Sequence, residues 1–408
     1  MNIYEKLMYG LTIIFALASN VSTGITSACI VISAIIMMIQ YIKTRKLPSQ
    51  INIFGGVLLL YGGLQCIIAA LSVNPAVSFG DVWATMYRFI PLFFGILYLK
   101  NKKQLFYILM AFSISALLND VYGAYQYIVL SNNRPMAFNN TATFFASHLL
   151  MAIPMLYLIC NVYRKSKAIR YYSFFLMIFS MLMLIASGTR GGWIAFVIMI
   201  LFSLCMDAIN RKKIIVVCIG MLIAMTGFNI ATNGYLMNRI ASISQMKDQS
   251  SIERVLMWES SIKIFEDYPV HGIGQDQFQY MYNTQYISPL SKRRADEDYH
   301  KGYGHPHNNF FKYLSEGGLI GIAAFIMLYG FFAYKFWMLY RKEKAMAKLS
   351  YGMIGLLIMI GIQAEGLTDT NLTQVPIMRE FWFLMGLLFA AGKMELEERN
   401  QHEEYSLL

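Results

Sequence analysis

Residues 171–208 read YYSFFLMIFSMLMLIASGTRGGWIAFVIMILFSLCMDA. Two apolar runs, 171–187 and 191–208, flank a polar break at Gly188, Thr189 and Arg190. A helix crosses the hydrocarbon of a bilayer in roughly 17 to 25 residues, and each run meets that length. A soluble core of this size would alternate polar and apolar faces, and neither run does. The stretch therefore reads as a membrane hairpin whose turn carries an arginine among glycines.

The pattern repeats along the chain. Of 408 residues, 57% are hydrophobic and 14% charged, against about 25% charged in soluble domains. The N-terminal stretch MNIYEKLMYG leads into an apolar run with no small-residue cleavage site, so that run reads as a retained helix. The net charge of +11 does not point to nucleic acid, because the basic residues sit in short clusters between apolar runs, as membrane anchors do. Cys29, Cys66, Cys160, Cys205 and Cys218 all fall within apolar runs, which predicts no disulfide, and CxxC spacing is absent.

Five clusters are basic: Lys43, Arg45, Lys46; Lys100, Lys102, Lys103; Arg164, Lys165, Lys167, Arg170; Arg211, Lys212, Lys213; and Arg341, Lys342, Lys344, Lys348. Between neighbouring clusters lies enough apolar sequence for two helices with a polar break between them. Placing every cluster in the cytoplasm puts every break outside, near Asn74, near Asn132, at Gly188–Arg190 and at 233–308. The expectation is an all-α integral membrane protein of about twelve transmembrane helices with both termini cytoplasmic. The predicted spans are 7–20, 24–42, 51–72, 82–99, 104–130, 142–163, 171–187, 191–208, 214–232, 309–340, 349–368 and 376–392. By region, 1–232 holds the first nine helices, 233–308 a large extracytoplasmic loop, 309–392 the last three helices, and 393–408 a cytoplasmic tail.

The loop is partly helical. Ser250 and Glu253 have capping-box spacing, Ile252, Val255, Leu256 and Ile262 share one helical stripe, Arg254, Trp258, Ser261 and Phe265 share another, and Pro269 ends the helix. A glycine-punctuated turn, HGIGQDQF, follows. SKRRADEDYHKGYG reads as a mobile mixed-charge segment.

Arg88, Arg134, Arg190, Arg254 and Arg379 all fall at outer helix ends or in outer loops, where the positive-inside rule gives no reason for them. Guanidinium forks pair with two phosphate oxygens at once, so an outer set of them suits a phosphate-bearing ligand. The alternative is pairing with Asp81, Asp120, Glu365, Asp369 or Glu380, or contact with lipid head groups. His271, His300, His305 and His307 lie in the loop, and a near-neutral imidazole suits general-base work. A metal site of His305 and His307 with Asp296, Glu297 or Asp298 is the weaker reading, since no ligand cluster has fixed spacing, and no metal is expected. GxxxxGK[ST], a strand–helix GxGxxG and HExxH are all absent, which argues against nucleotide chemistry.

Three segments together resemble the O-antigen ligase and O-antigen polymerase superfamily of bacterial membrane glycosyltransferases. His307 and Asn308 are followed by nine residues, Gly318, two residues and Gly321. The family's ligase pattern has a histidine, then Asn, Ser or Gln, nine residues, Gly, two residues, and Gly, Thr or Tyr. SGTRGGW resembles the family's helix-end arginine before the long loop, here Arg190. IERVLMWESSIKIFEDYPVHGIG resembles its loop helix with Arg254, followed by the turn Pro269, Gly272, Gly274. RPMAFNNTATFFASHL is a weaker likeness, with Asn139, Asn140 and Thr141 where the family often has Asn-Pro-Asn. In motif order the resemblance covers about residues 130 to 380.

The resemblance implies a donor glycan on a polyprenyl diphosphate, transferred outside the bacterial inner membrane to a sugar hydroxyl, with inversion and without cofactor or metal. On it Arg190 and Arg254 hold the diphosphate and His307 takes the acceptor proton. Arg134, Asn139, Asn308 and Arg379 are substrate-binding candidates. Membrane lipid, a lipid-linked or glycan acceptor, a flippase and a chain-length regulator are the implied partners. A polymerase joining repeat units of O-antigen, capsule or exopolysaccharide is favoured on pathway grounds, because ligation to lipid A core needs an outer membrane. The alternatives are such a ligase and a lipid-linked sugar transporter. A transporter would carry repeat symmetry and charge at mid-depth, whereas here the charges collect at the outer surface.

Overall fold

The computed structural model describes residues 3–45, 49–206, 249–292, 304–344 and 350–406, with scattered positions between 212 and 237. Among the described residues all regular structure is helical. The principal helices are α1 (Ile3–Ala18), α2 (Thr23–Thr44), α3 (Ser49–Ala70), α4 (Pro75–Met86), α5 (Leu92–Tyr98), α6 (Lys102–Ile128), α7 (Ala142–Val162), α8 (Lys167–Ala186), α9 (Arg190–Met206), α10 (Gln249–Asp267), α11 (Asn309–Lys344), α12 (Tyr351–Glu365) and α13 (Val375–Ser406). Their starts follow local chemistry. Ser22, Asn74, Asn101, Thr141 and Ser350 each accept an N–H of the first turn on a side-chain oxygen, and Pro75 takes the first helical position of α4.

α7 and α12 are buried on nearly all sides, as is the first half of α13, and they form the middle of the bundle. α1, α3, α5, α6, α8, α9 and α11 pack around them. Apolar side chains of α2, α3, α6 and α9 stay exposed on the outer surface, including Val31, Leu59, Val121 and Val197. In water such a surface would be unstable, and in lipid it is the expected one.

Seven described helices are long and apolar enough to cross a membrane. The expected twelve are not all reached, for physical reasons. α1, α9 and α12 are shorter, with 16, 17 and 15 residues. The expected span 82–99 is a broken helix that starts at Pro75 and runs through a 3-10 turn, Tyr87–Phe89, into α5. Residues 214–232 lie largely outside the described residues. The expected tail continues α13 as helix to Ser406.

The expectations for the loop helix need correction. α10 begins at Gln249, and Glu253 accepts a hydrogen bond from Ser291 Oγ. Its buried stripe is Glu253, Leu256, Met257, Ser260, Ser261 and Ile264, whereas Val255 and Ile262 are exposed. The packing partner is α11 with the helical turns around Phe278–Tyr286, and it selects a face richer in serine than hydropathy alone would choose. The stretch expected to be a mobile segment, 291–304, lies mostly outside the described residues.

The span at 309–340 is also broken. Gly318 has φ 58° and ψ −149°, so residues 309–317 form a separate arm that leaves the axis of the rest of α11. The loop turn after α10 closes this break. Ile273 N–H donates to Ser315 O (3.0 Å) and Gly274 N–H to Glu316 O (2.8 Å), while Leu319 N–H donates to Pro269 O (2.9 Å) and Ile320 N–H to Val270 O (3.0 Å). The carbonyls that end the arm and the N–H groups that start the next helix are met by one turn. The backbones touch: a Cβ at Gly318 would lie 2.7 Å from Gly272 N, and one at Gly272 2.4 Å from Glu316 C.

Gly318→Ala should therefore destabilise the fold by about 3 kcal/mol or more, from the left-handed φ and the steric overlap together. Gly330→Ala, on the same helix with nothing within 4 Å, should be neutral or slightly stabilising. Melting temperatures of the two variants in nanodiscs check the contrast, and equal values would mean that the turn is not what holds the break.

Candidate active site

The break carries the arm's N-terminus over the connection between α12 and α13. Asn308 caps the arm by accepting from Phe311 N–H (3.1 Å), and its amide donates to Leu367 O (2.8 Å). Asn309 N–H donates to Gly366 O (2.7 Å), and Asn309 Nδ2 to Asn371 Oδ1 (2.8 Å). From α10, Trp258 Nε1 donates to Pro306 O (2.9 Å), and its ring stacks on Phe311. These bonds hold His307 at φ 49°, a left-handed value that costs a non-glycine residue about 1–3 kcal/mol.

His307 Nδ1 lies 3.1 Å from Asp369 Oδ1, which also accepts from Thr370 N–H. Burial opposes ionisation of Asp369, but the hydrogen bond and charge of His307, with Thr143 and His305 adding to them, hold its carboxyl down at about 2. An ionised carboxylate only accepts, so Nδ1 of His307 is the donor in this bond, and Nε2 is the ring nitrogen left for a ligand. The His307 side chain keeps 31% exposure. His305 lies beside it, ring centroids 4.2 Å apart, with Nδ1 2.7 Å from Thr370 Oγ1. Burial first, then the neighbouring His307, hold the His305 imidazole down at about 4, against the pull of Asp369.

Asp369 also lines a polar cavity of about 290 Å³ with Arg134, Thr143, Gly188, Thr189, Arg190, Gly191, Arg254, Glu365 and Thr368. Arg190 starts α9, so the cavity receives a helix N-terminus as well as a guanidinium, and both favour anions. Arg190 Nη2 reaches Ser251 Oγ at 3.4 Å, which ties it to the start of α10. Gly191 allows the closure, because a Cβ there would fall 2.1 Å from Thr368 Oγ1.

Three of the expected arginines thus meet in one cavity, and His307 adjoins it through Asp369. Other expected site residues lie elsewhere. Arg379 is buried where α13 meets α2 and α4, donating to Thr23 O, Thr26 Oγ1, Ser27 Oγ and Tyr87 Oη. Asn308 commits its amide to the arm and to Leu367, as a helix cap. Asn139 lies in the turn before α7, its N–H donating to Met136 O, and it is not part of the cavity wall. Arg88 donates to Thr373 O. Two of the carboxylates offered as arginine partners are used differently: Glu380 meets His148 at 2.9 Å, and Asp120 accepts from Ser180.

His305, His307 and Asp369 are the group among the described residues whose ligand atoms, all within 4.8 Å of one another, could hold a metal ion. The carboxylate in that group is Asp369, whereas Asp296, Glu297 and Asp298 lie outside the described residues. Both Nδ1 atoms are already engaged, which leaves two Nε2 atoms and a shared carboxylate oxygen as donors.

Residues 173–326 match the family model of O-antigen ligase. Over that stretch the chain is similar to the O-antigen ligase family. No curated protein matches the chain. The matched residues include Arg190, Arg254, His307 and Gly318, and the match supports the O-antigen ligase and polymerase superfamily. With its long apolar helices, the chain is a multi-pass membrane protein of polysaccharide biosynthesis. Arg134, Thr143, Glu365 and Asp369 lie outside the matched stretch and join the site only through the fold.

His305 gives the site a testable pH dependence. Its folded value, about 4, is below its ordinary 6.5, so the unfolded chain binds a proton that the folded chain refuses. That contribution to stability is complete above pH 6.5 and is lost as pH falls toward 4. Asp369's contribution is complete above its ordinary 3.8 and is lost as pH falls through about 2. Between pH 7.5 and 4.5 the wild type should lose more melting temperature than His305→Gln. Equal losses would mean that His305 is protonated in the folded protein.

Proposed function

We propose that this protein transfers a glycan from a polyprenyl diphosphate carrier to a sugar hydroxyl, outside the bacterial cytoplasmic membrane. The observation that carries the reading is one cavity that gathers Arg134, Arg190 and Arg254 and adjoins the His307–Asp369 pair through a shared carboxylate. Guanidiniums at an outer helix end suit a diphosphate and the charge that grows on it as the glycosidic bond breaks. Nε2 of His307 takes the proton of the attacking hydroxyl, and Asp369 compensates the imidazolium that results. Attack from the face opposite the diphosphate inverts the anomeric carbon. The bond energy is already in the donor, so no metal step is required. The outer side is inferred from the basic clusters alone, since placing every cluster in the cytoplasm leaves the Gly188–Arg190 turn outside.

Polymerisation of repeat units remains the favoured form, on the pathway ground given above, and ligation of the finished chain is the alternative. The lipid-linked glycans of a strain lacking the gene separate them. Single repeat units on the carrier mean polymerase, long chains retained on the carrier mean ligase, and an unchanged profile overturns the transfer reading.

His307→Ala should reduce transfer by about 10²-fold to 10⁴-fold, the range of a lost general base, while the protein stays folded in the membrane. Arg190→Ala should do likewise by weakening the hold on the diphosphate. Dialysis against a chelator should leave transfer intact. Wild-type rates in His307→Ala would remove it from the mechanism, and loss on chelation restored by a divalent metal would assign the histidine pair to that metal.

A further inference from the structure

The connection Asp369–Thr373 is a partition. On one side Asp369 faces the arginine cavity, and Thr370 holds His305. On the other side Leu372 and Thr373 line a second, smaller pocket of about 40 Å³ between α3, α4 and the arm of α11. His305 lies within electrostatic reach of both sides, of Arg254 on one and Lys312 on the other. The two chambers differ in chemistry. The first is dominated by guanidiniums. The second is walled by Asp81, Lys312, Glu316, Tyr61, Gln65 and Gln275, a mixed set of carboxylates, amides and phenol.

Much of this second wall is preorganised. Lys312 Nζ sits 2.7 Å from Glu316 Oε2, Tyr61 Oη 3.2 Å from Tyr313 Oη, and Gln275 Nε2 donates to Gln65 Oε1 at 2.6 Å. What it leaves open is informative. Gln65 and Gln275 are more than nine-tenths buried, yet Gln65 Nε2 and Gln275 Oε1 have no hydrogen-bond partner. A buried donor and a buried acceptor without partners, on two residues that line the pocket, cost free energy unless a polar ligand or water meets them. Half-buried Asp81 adds carboxylate oxygens that can accept from two adjacent hydroxyls. Paired donors, paired acceptors and a carboxylate match the vicinal hydroxyls of an uncharged sugar, and they do not match a diphosphate.

We propose that this second pocket binds the acceptor sugar by its hydroxyl-bearing edge, with the arginine cavity left to the donor. The inference rests on the transfer reading above and adds the place of the second substrate. The space admits the edge of a ring and not a whole ring.

The test uses the full-length protein in nanodiscs and saturation-transfer NMR with methyl glucoside, methyl galactoside and methyl N-acetylglucosaminide as probes. At least one glycoside should bind, inorganic diphosphate should not displace it, and Arg190→Ala should bind it normally. Asp81→Asn should weaken it about tenfold, the scale of one hydrogen bond to a charged group, and Gln275→Ala about fivefold, the scale of a neutral one, each variant checked for an unchanged melting temperature. No binding by any probe, equal binding by both folded variants, or displacement by diphosphate would overturn the proposal. Its failure is distinguishable from that of the transfer reading, because an unchanged lipid-linked glycan profile overturns transfer alone, whereas Asp81-dependent glycoside binding would still mark a sugar site.

Discussion

A helix broken within a lipid-facing bundle leaves about four carbonyls and four N–H groups without intrahelical partners, where water is scarce and each unmet group costs several kcal/mol. At Gly318 the turn Pro269–Gly274 supplies partners for two carbonyls and two N–H groups at once. Only backbone can approach so closely, and that is why both contacting positions, Gly272 and Gly318, lack a Cβ. The glycine-punctuated turn of the loop and the glycine after the histidine are therefore two halves of one joint. Without that joint, residues 309–317 would continue the axis of α11, and His307 would leave the α12–α13 connection.

Because the joint is fed by α10, the long loop is part of the wall of the site and not a cover over a finished one. α10 gives Arg254 to the cavity, Trp258 to Pro306 and Phe311, and, past its end, the turn that meets Gly318. The strained backbone at His307 is held from three directions: by Asn308 and Asn309 on the α12–α13 connection, by Trp258, and by Asp369. Strain kept at one residue by that many independent attachments is the pattern of a side chain whose direction matters.

What was legible in the sequence follows from what a linear pattern can encode. Apolar runs and the depth of each arginine are local and offered five arginines and four histidines, and the resemblance to the O-antigen ligase superfamily singled out Arg190, Arg254 and His307 among them. Azimuth is not local. Arg379 and Arg134 read as equivalent outer arginines, but α13 turns Arg379 toward α2 and Tyr87, while the turn before α7 brings Arg134 to the cavity. Asp369 and Thr370 sit in a short polar connection without periodicity, 62 residues from His307, and only packing of the arm joins them. The signal available was TDTN at 368–371, a carboxylate expected at the same outer level as the histidine. Asn308 shows a second limit of a linear reading, because the bonds its amide makes to the arm and to Leu367 depend on the fold.

The paired histidines resolve an electrostatic difficulty that either alone would leave. In the proposed transfer, His307 becomes an imidazolium at the moment the acceptor proton moves. A second charged imidazole with its centroid 4.2 Å away would oppose that step by several kcal/mol at interior dielectric values. Burial keeps His305 neutral down to about pH 4, while Asp369 stays ionised down to about pH 2. Above about pH 4, therefore, the developing charge on His307 meets one compensating carboxylate and no competing cation on the neighbouring ring. Thr370, bonded to His305 through its hydroxyl and to Asp369 through its N–H, keeps both groups in register with His307. The partition is thus an electrostatic element as well as a wall, and its four polar groups act as one unit.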